Sequence, residues 1–98
     1  VPDAKLLTVI EARVPKERWD ELRAAYEALA GANPPERLGG YLAQSADDPE
    51  VWHGISVWRS AAALDAYRAR VPVPAGLAVF RAVASDVKLK RYAISAED

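Results

Sequence analysis

The sequence predicts an α+β fold, a ferredoxin-like split βαβ sandwich in which helices cover one face of a four-stranded antiparallel sheet. Three observations lead there. Runs with strand and helix periodicity alternate in the order β-α-β-β-α-(α)-β. The two central strands are separated by only a short turn, which makes them an antiparallel hairpin. With 98 residues, the chain has room for a single domain, taken as residues 1–98.

The first strand is Leu6–Val14, rich in aliphatic and β-branched residues. Alternation puts Leu6, Thr8, Ile10, Ala12 and Val14 on one face, apolar enough to lie under helices. Leu7, Val9, Glu11 and Arg13 share the other, a mixture suited to a cavity wall or a solvated face. Pro15 suits a helix start, because the amide it lacks would be unpaired there anyway. Trp19, Leu22, Tyr26 and Leu29 recur at helical spacing, so residues 15–30 form an amphipathic helix, with Gly31 as its C-terminal cap. Gly31–Arg37 is the longest irregular stretch and contains Asn33-Pro34-Pro35.

The second strand spans residues 38–46, where Gly39 and Gly40 signal a bulge or a close backbone approach. Asp47-Asp48-Pro49-Glu50 turns the chain into the third strand, Val51–Trp58. Ser60 caps a helix over Ala61–Arg70, whose apolar stripe is Leu64, Tyr67 and Val71, and Pro72 stops it. Pro74 starts a short third helix with Leu77, Phe80 and Ala84 at helical spacing. Val87–Ile94 is the last strand. The sheet face away from the helices is then bare and is expected to carry Leu7, Val9, Trp52 and Trp58. An apolar face of that size marks an association surface, so a homodimer through the open sheet face is expected.

Composition narrows the function. Hydrophobic residues at 51% and charged residues at 28% describe a globular chain rather than a disordered one. The absence of cysteine excludes a disulfide framework, a thiolate metal site and a cysteine nucleophile. With His53 the only histidine, no site needing two His ligands forms within one subunit, and no metal site is expected. Thirteen Lys and Arg against 14 Asp and Glu give no nucleic-acid footprint. No apolar run approaches the roughly 20 residues that span a bilayer, so no membrane partner is expected. No signal peptide is visible, which points to the cytoplasm, and a start at Val1 rather than Met points to a missing or processed beginning. No Gly-rich phosphate loop or Ser/His/Asp arrangement stands out, and no cofactor is expected.

The stretch from Gly39 to Arg68 resembles the antibiotic biosynthesis monooxygenase (ABM) domain family. Gly40 and Tyr41, the Asp47-Asp48-Pro49 turn, Trp52, Trp58, Ser60, Leu64 and Tyr67 carry the resemblance, and the element order extends it over Leu6 to Ile94. It implies a dimeric α+β barrel with a pocket in each subunit between helices and sheet. It also implies a function, a cofactor-independent monooxygenase acting on a small aromatic phenol or quinol. The alternative is a non-catalytic dimeric module that binds a small hydrophobic ligand. In the cofactor-free oxygenases an Asn lies four residues before the Trp of the third strand; that position here is Gly54. Haem-degrading members use an Asn on the first strand and a His on the second helix. Neither is present here, and Arg68 lies near the place of the His.

Trp52, Gly54, Ser56 and Trp58 share one face of the third strand. They form either a pocket wall, with indoles stacking on a flat ligand, Ser56 as polar handle and Gly54 leaving space, or the filling of a core or interface. The catalytic candidates are Trp58, Glu11 and Ser56, and the ligand-binding candidates are Trp52, Gly54, Tyr41, Arg81, Leu7 and Val9. Each has a structural alternative. Glu11 and Arg13 suit an ion pair, Arg81 a solvated charge, and Tyr26 and Tyr67 core packing. His53 is either a general base or a hydrogen-bonded residue near a strand end.

Overall fold

The computed structural model describes residues 4–31 and 33–98, so the start at Val1 and Ala32 of the long loop lie outside the described residues. Eight elements follow in order: β1 (Leu6–Arg13), a 3₁₀ turn (Lys16–Arg18), α1 (Trp19–Ala28), β2 (Arg37–Gln44), β3 (Val51–Trp58), α2 (Ala61–Arg70), α3 (Ala75–Val83) and β4 (Val87–Ala93). The sheet order is β2-β3-β1-β4, antiparallel at every pairing. Helices pack on one face, as the element order requires.

Local chemistry explains the boundaries. Pro15 stays extended (φ −62°, ψ 147°), and the chain makes a 3₁₀ turn before α1, so the single helix expected over 15–30 begins as two pieces. Gly31, at φ 85°, takes the left-handed conformation that ends this segment. The Ser45 hydroxyl accepts from the amides of Asp47 and Asp48 (3.2 Å each), which turns the chain out of β2 before residue 46. The Ser60 hydroxyl accepts from the Ala63 amide at 3.0 Å and caps α2 as expected.

Register fixes the faces. Ile10 opposes Gly54 on one side and Leu89 on the other, and Thr8 opposes Ser56 and Arg91. Trp52, Gly54, Ser56 and Trp58 therefore face the helices together. This corrects the expectation that Trp52 and Trp58 lie on the bare face: alternation ties both to Ala12 and Leu6, which are buried under helices. In β2, Arg37 opposes Trp58 while Gly39 opposes Val57, a bulge of one extra residue.

The core is in two pieces. One holds Ala12, Val14, Leu22, Trp52, Phe80 and Val83; the other holds Leu6, Trp58 and Leu64. In the first, Trp19 meets Trp52 edge to face at 6.0 Å. Phe80 has no solvent exposure and sits over Gly54, where a Cβ would come within 2.7 Å of its Cε2. The space expected to await a ligand above Gly54 is thus filled by Phe80. Gly54→Ala should destabilise the protein by about 1–3 kcal/mol through overpacking. A lower urea midpoint checks this; an unchanged midpoint would show that the ring yields freely.

Candidate functional site

Between the two core pieces lies a cavity of about 520 Å³. That volume falls within the roughly 300–1,000 Å³ of small-molecule sites. Its floor is the helix-facing side of the sheet: Thr8 and Ile10 from β1, Gly54, Ser56 and Trp58 from β3, Gly40 from β2, and Leu89 and Arg91 from β4. Its roof is Tyr26 of α1 and Leu29 just after it, Leu64, Tyr67 and Arg68 of α2, and Leu77 and Phe80 of α3. Asn33, Pro34 and Arg37 border one side.

Trp58 is 5% exposed, and its ring lies tilted against Tyr67 at 5.1 Å. Its indole N–H donates to the Thr8 hydroxyl at 2.9 Å. The indole's polar atom is therefore satisfied internally, and what Trp58 offers the cavity is apolar ring surface. Trp52 is buried outside the cavity, with the Arg23 guanidinium 5.3 Å from its ring centroid. Its Nε1 has no hydrogen-bond partner among the described residues.

The polar end is built on Arg37. Its Nε donates to Ser56 Oγ at 3.2 Å, and its Nη1 donates to the Asn33 side-chain oxygen. Gly40 makes this possible, because a Cβ there would collide with Arg37 Nη2 and with the Ile55 carbonyl oxygen. The close backbone approach signalled by the glycine pair is thus an arginine lying across β2. Ser56, as acceptor, keeps its own O–H free to donate.

Several sequence candidates lie elsewhere. Glu11, Leu7 and Tyr41 are on the opposite face of the sheet, because alternation sets them one residue out of phase with Thr8, Ile10 and Gly40. Val9 borders the cavity along β1 while its side chain belongs to that opposite face, and Lys90 does the same on β4. Arg81 is exposed on α3 and does not line the cavity. Ser56, Trp58 and Gly54 do line it. Sequence reasoning missed Arg37, Thr8, Arg68 and Arg91 as cavity residues; Tyr26 and Tyr67, weighed between presenting a hydroxyl to a ligand and core packing with packing the default, line the cavity.

On the open face, Glu11 opposes His53 across the β1–β3 ladder, and their side chains meet at 3.0 Å. Arg13 instead pairs with Asp48 at 2.6 Å and Glu50 at 3.2 Å, so the Glu11–Arg13 ion pair is not formed. The hydrogen bond from His53 holds the Glu11 carboxyl below its ordinary range; burial opposes it, and the charges of His53, Lys90 and Lys88 add smaller lowering effects. Among the described residues, no group of three or more His, Asp or Glu side chains could hold a metal ion. No described helix is long and apolar enough to cross a membrane.

The family model described as antibiotic biosynthesis monooxygenase matches residues 6–78. No curated protein matches the chain. Among solved structures, SnoaB from Streptomyces nogalater, a cofactor-independent oxygenase crystallised as a mutant, superposes with a TM-score of 0.75 at 18% identity, covering 96% of each chain. A Pseudomonas aeruginosa protein superposes at 0.70 with 20% identity, covering 98% of this chain and 99% of that one. A conserved protein from Methanosarcina mazei Go1 gives 0.74 at 13% identity, covering 94% of each. At such identities the superpositions establish the fold alone.

The Glu11–His53 pair has a pH signature. A carboxyl whose folded pKa is depressed contributes stability above its unfolded pKa, and that contribution disappears as pH falls through the folded value. Glu11→Gln should therefore be less stable than wild type at neutral pH, with the gap closing once pH drops below the carboxylate range. Urea midpoints along an acid series check this; a gap that persists at the acid end contradicts it.

Proposed function

This chain belongs to the antibiotic biosynthesis monooxygenase family, and on that premise we propose that it is a cofactor-independent monooxygenase acting on a small aromatic phenol or quinol. The observation that carries the reading is the cavity, a partly open space walled by the rings of Trp58, Tyr67 and Phe80 with a polar end at Ser56 and Arg37. The shared fold with SnoaB, a cofactor-independent oxygenase, supports it.

The chemistry asks for an electron-rich substrate anion. A phenol that loses its proton passes one electron to dioxygen, and the two radicals recombine at carbon. For a substrate with a methylene beside the phenolic ring system, CH₂ and O₂ become C=O and H₂O. One oxygen atom enters the substrate, the other leaves as water with both methylene hydrogens, and all four electrons come from the substrate. The protein supplies position, a mostly apolar cavity and charge stabilisation. Trp58 packs on the ring, and Ser56 donates its O–H to the phenolate oxygen. Arg37 lowers the substrate's pKa as any adjacent cation does. Glu11 has no part in this step, because the sheet separates it from the cavity. With no Asp, Glu or His lining the cavity among the described residues, the proton leaves to water.

A second reading, a non-catalytic dimeric module that binds a small hydrophobic ligand, is favoured by that same lack of a base and by Gly54 in the Asn position. In both readings two copies associate through the open sheet face. Leu7, Val9, Ile55 and Val57 are only half-buried there, and Tyr41 and Tyr92 are 67% and 47% exposed. A monomer mass by light scattering at micromolar concentration would contradict the dimer.

Oxygen uptake against anthrones and hydroquinones, without added metal, flavin or haem, tests the reaction. Saturable uptake lost on heating the protein is expected. Trp58→Phe, which keeps an apolar ring, should lower the rate about tenfold, equivalent to about 1.4 kcal/mol of positioning. Ligand-dependent quenching of tryptophan fluorescence without uptake by the same compounds would assign the chain to the binding module.

A further inference from the structure

The cavity is unbalanced in charge. Its described lining contains no Asp or Glu, yet Arg37, Arg68 and Arg91 all border it. Away from the cavity, four arginines hold carboxylates, while the exposed Arg59 donates to the Pro35 carbonyl and the exposed Arg81 forms no ion pair among the described residues. Arg13 holds Asp48 and Glu50, Arg18 holds Glu21, Arg23 holds Asp20, and Arg70 holds Glu36. Arg37 is different. It is half-buried, and its recorded partners are two neutral oxygens, those of Ser56 and Asn33. Its neighbour Glu36 is committed to Arg70 by bonds of 2.6 and 2.9 Å. Of the other two, Arg91 reaches Asp65 only at 3.8 Å, and Arg68 forms no ion pair among the described residues.

A guanidinium cannot shed its charge, and a half-buried cation without a counter-charge is unfavourable. The chain nevertheless keeps Gly40 bare so that Arg37 can lie there. We propose that the cavity's ligand is a planar aromatic carboxylate, its ring between Trp58 and the helices and its carboxylate on the Arg37 guanidinium beside Ser56. Arg37 spends two of its five N–H donors on protein oxygens, which leaves its Nη2 edge for the ligand. That edge and the free Ser56 O–H are the donors that the two carboxylate oxygens would take. Arg68 and Arg91 add positive potential around the same site.

The assignment rests on the cavity being the ligand site, as in the reading above, and it names the class of molecule that enters. A hydroxynaphthoate, its methyl ester and its primary amide are matched in ring and differ in charge. Titrated into the full chain and followed by tryptophan fluorescence, the acid should bind about tenfold or more tighter than either neutral form. Added salt should weaken the acid and leave the ester unchanged. Arg37→Gln should erase the preference, Arg37→Lys should keep part of it, and Arg23→Gln, outside the cavity, should keep it whole. The salt comparison uses the wild-type protein, so the test survives a variant that does not fold. Equal binding of acid and ester overturns the proposal, even if a neutral phenol is oxidised. Binding of none of the three overturns it as well. Preferential binding of the acid with no oxygen uptake supports this proposal and counts against the oxygenase.

Discussion

The seat of Phe80 over Gly54 organises the helix-facing side of this protein. A fully buried ring fits against the sheet only because residue 54 has no side chain. That contact holds α3 down and closes the core piece around Trp52, Leu22 and Val83. The other core piece, around Trp58 and Leu64, is anchored separately by α2. What lies between is neither piece's interior, and a cavity remains. A single continuous core would have filled it. Dividing the core gives up some apolar burial, which is acceptable in a fold whose open sheet face has still more apolar surface to bury.

Charge follows the same division. Carboxylates are spent on surface pairs and on the open face, where Glu11 meets His53, and they are kept out of the cavity's described lining. A site arranged in this way suits the proposed anion and offers no fixed base among its described lining residues. Phenolate formation and carboxylate binding are then two uses of one positive potential, concentrated by the low-dielectric walls around it. Thr8 contributes by satisfying the Trp58 indole, which leaves that wall purely apolar.

Much of the fold was legible because strand alternation and helix stripes are local patterns. β3 and α2 occupy the expected residues, and the short connection marked β2 and β3 as the antiparallel hairpin that the sheet contains. The site was legible only in part. Gly54, Ser56 and Trp58 share a face by parity, but that this is the helix face and not the bare one follows from the β1–β3 register. Glu11 and His53 could not be paired without the β1–β3 register, which is a non-local fact. Arg37 falls by composition at the end of the irregular stretch Gly31–Arg37, and the bulge hides it from strand parity as well. Counting back by twos from Tyr41 through Gly39 puts residue 37 on the open face, and the extra residue between Arg37 and Gly39 turns it to the helix side. The glycine pair was the visible trace of that turn.

The most direct test of an anion-binding cavity is a crystal structure of the protein grown with a hydroxynaphthoate. The ring is expected between Trp58 and the roof helices, with both carboxylate oxygens within hydrogen-bond reach of Arg37 and Ser56. Density for the ligand on the open sheet face, or in the cavity with its carboxylate turned away from Arg37, would contradict it.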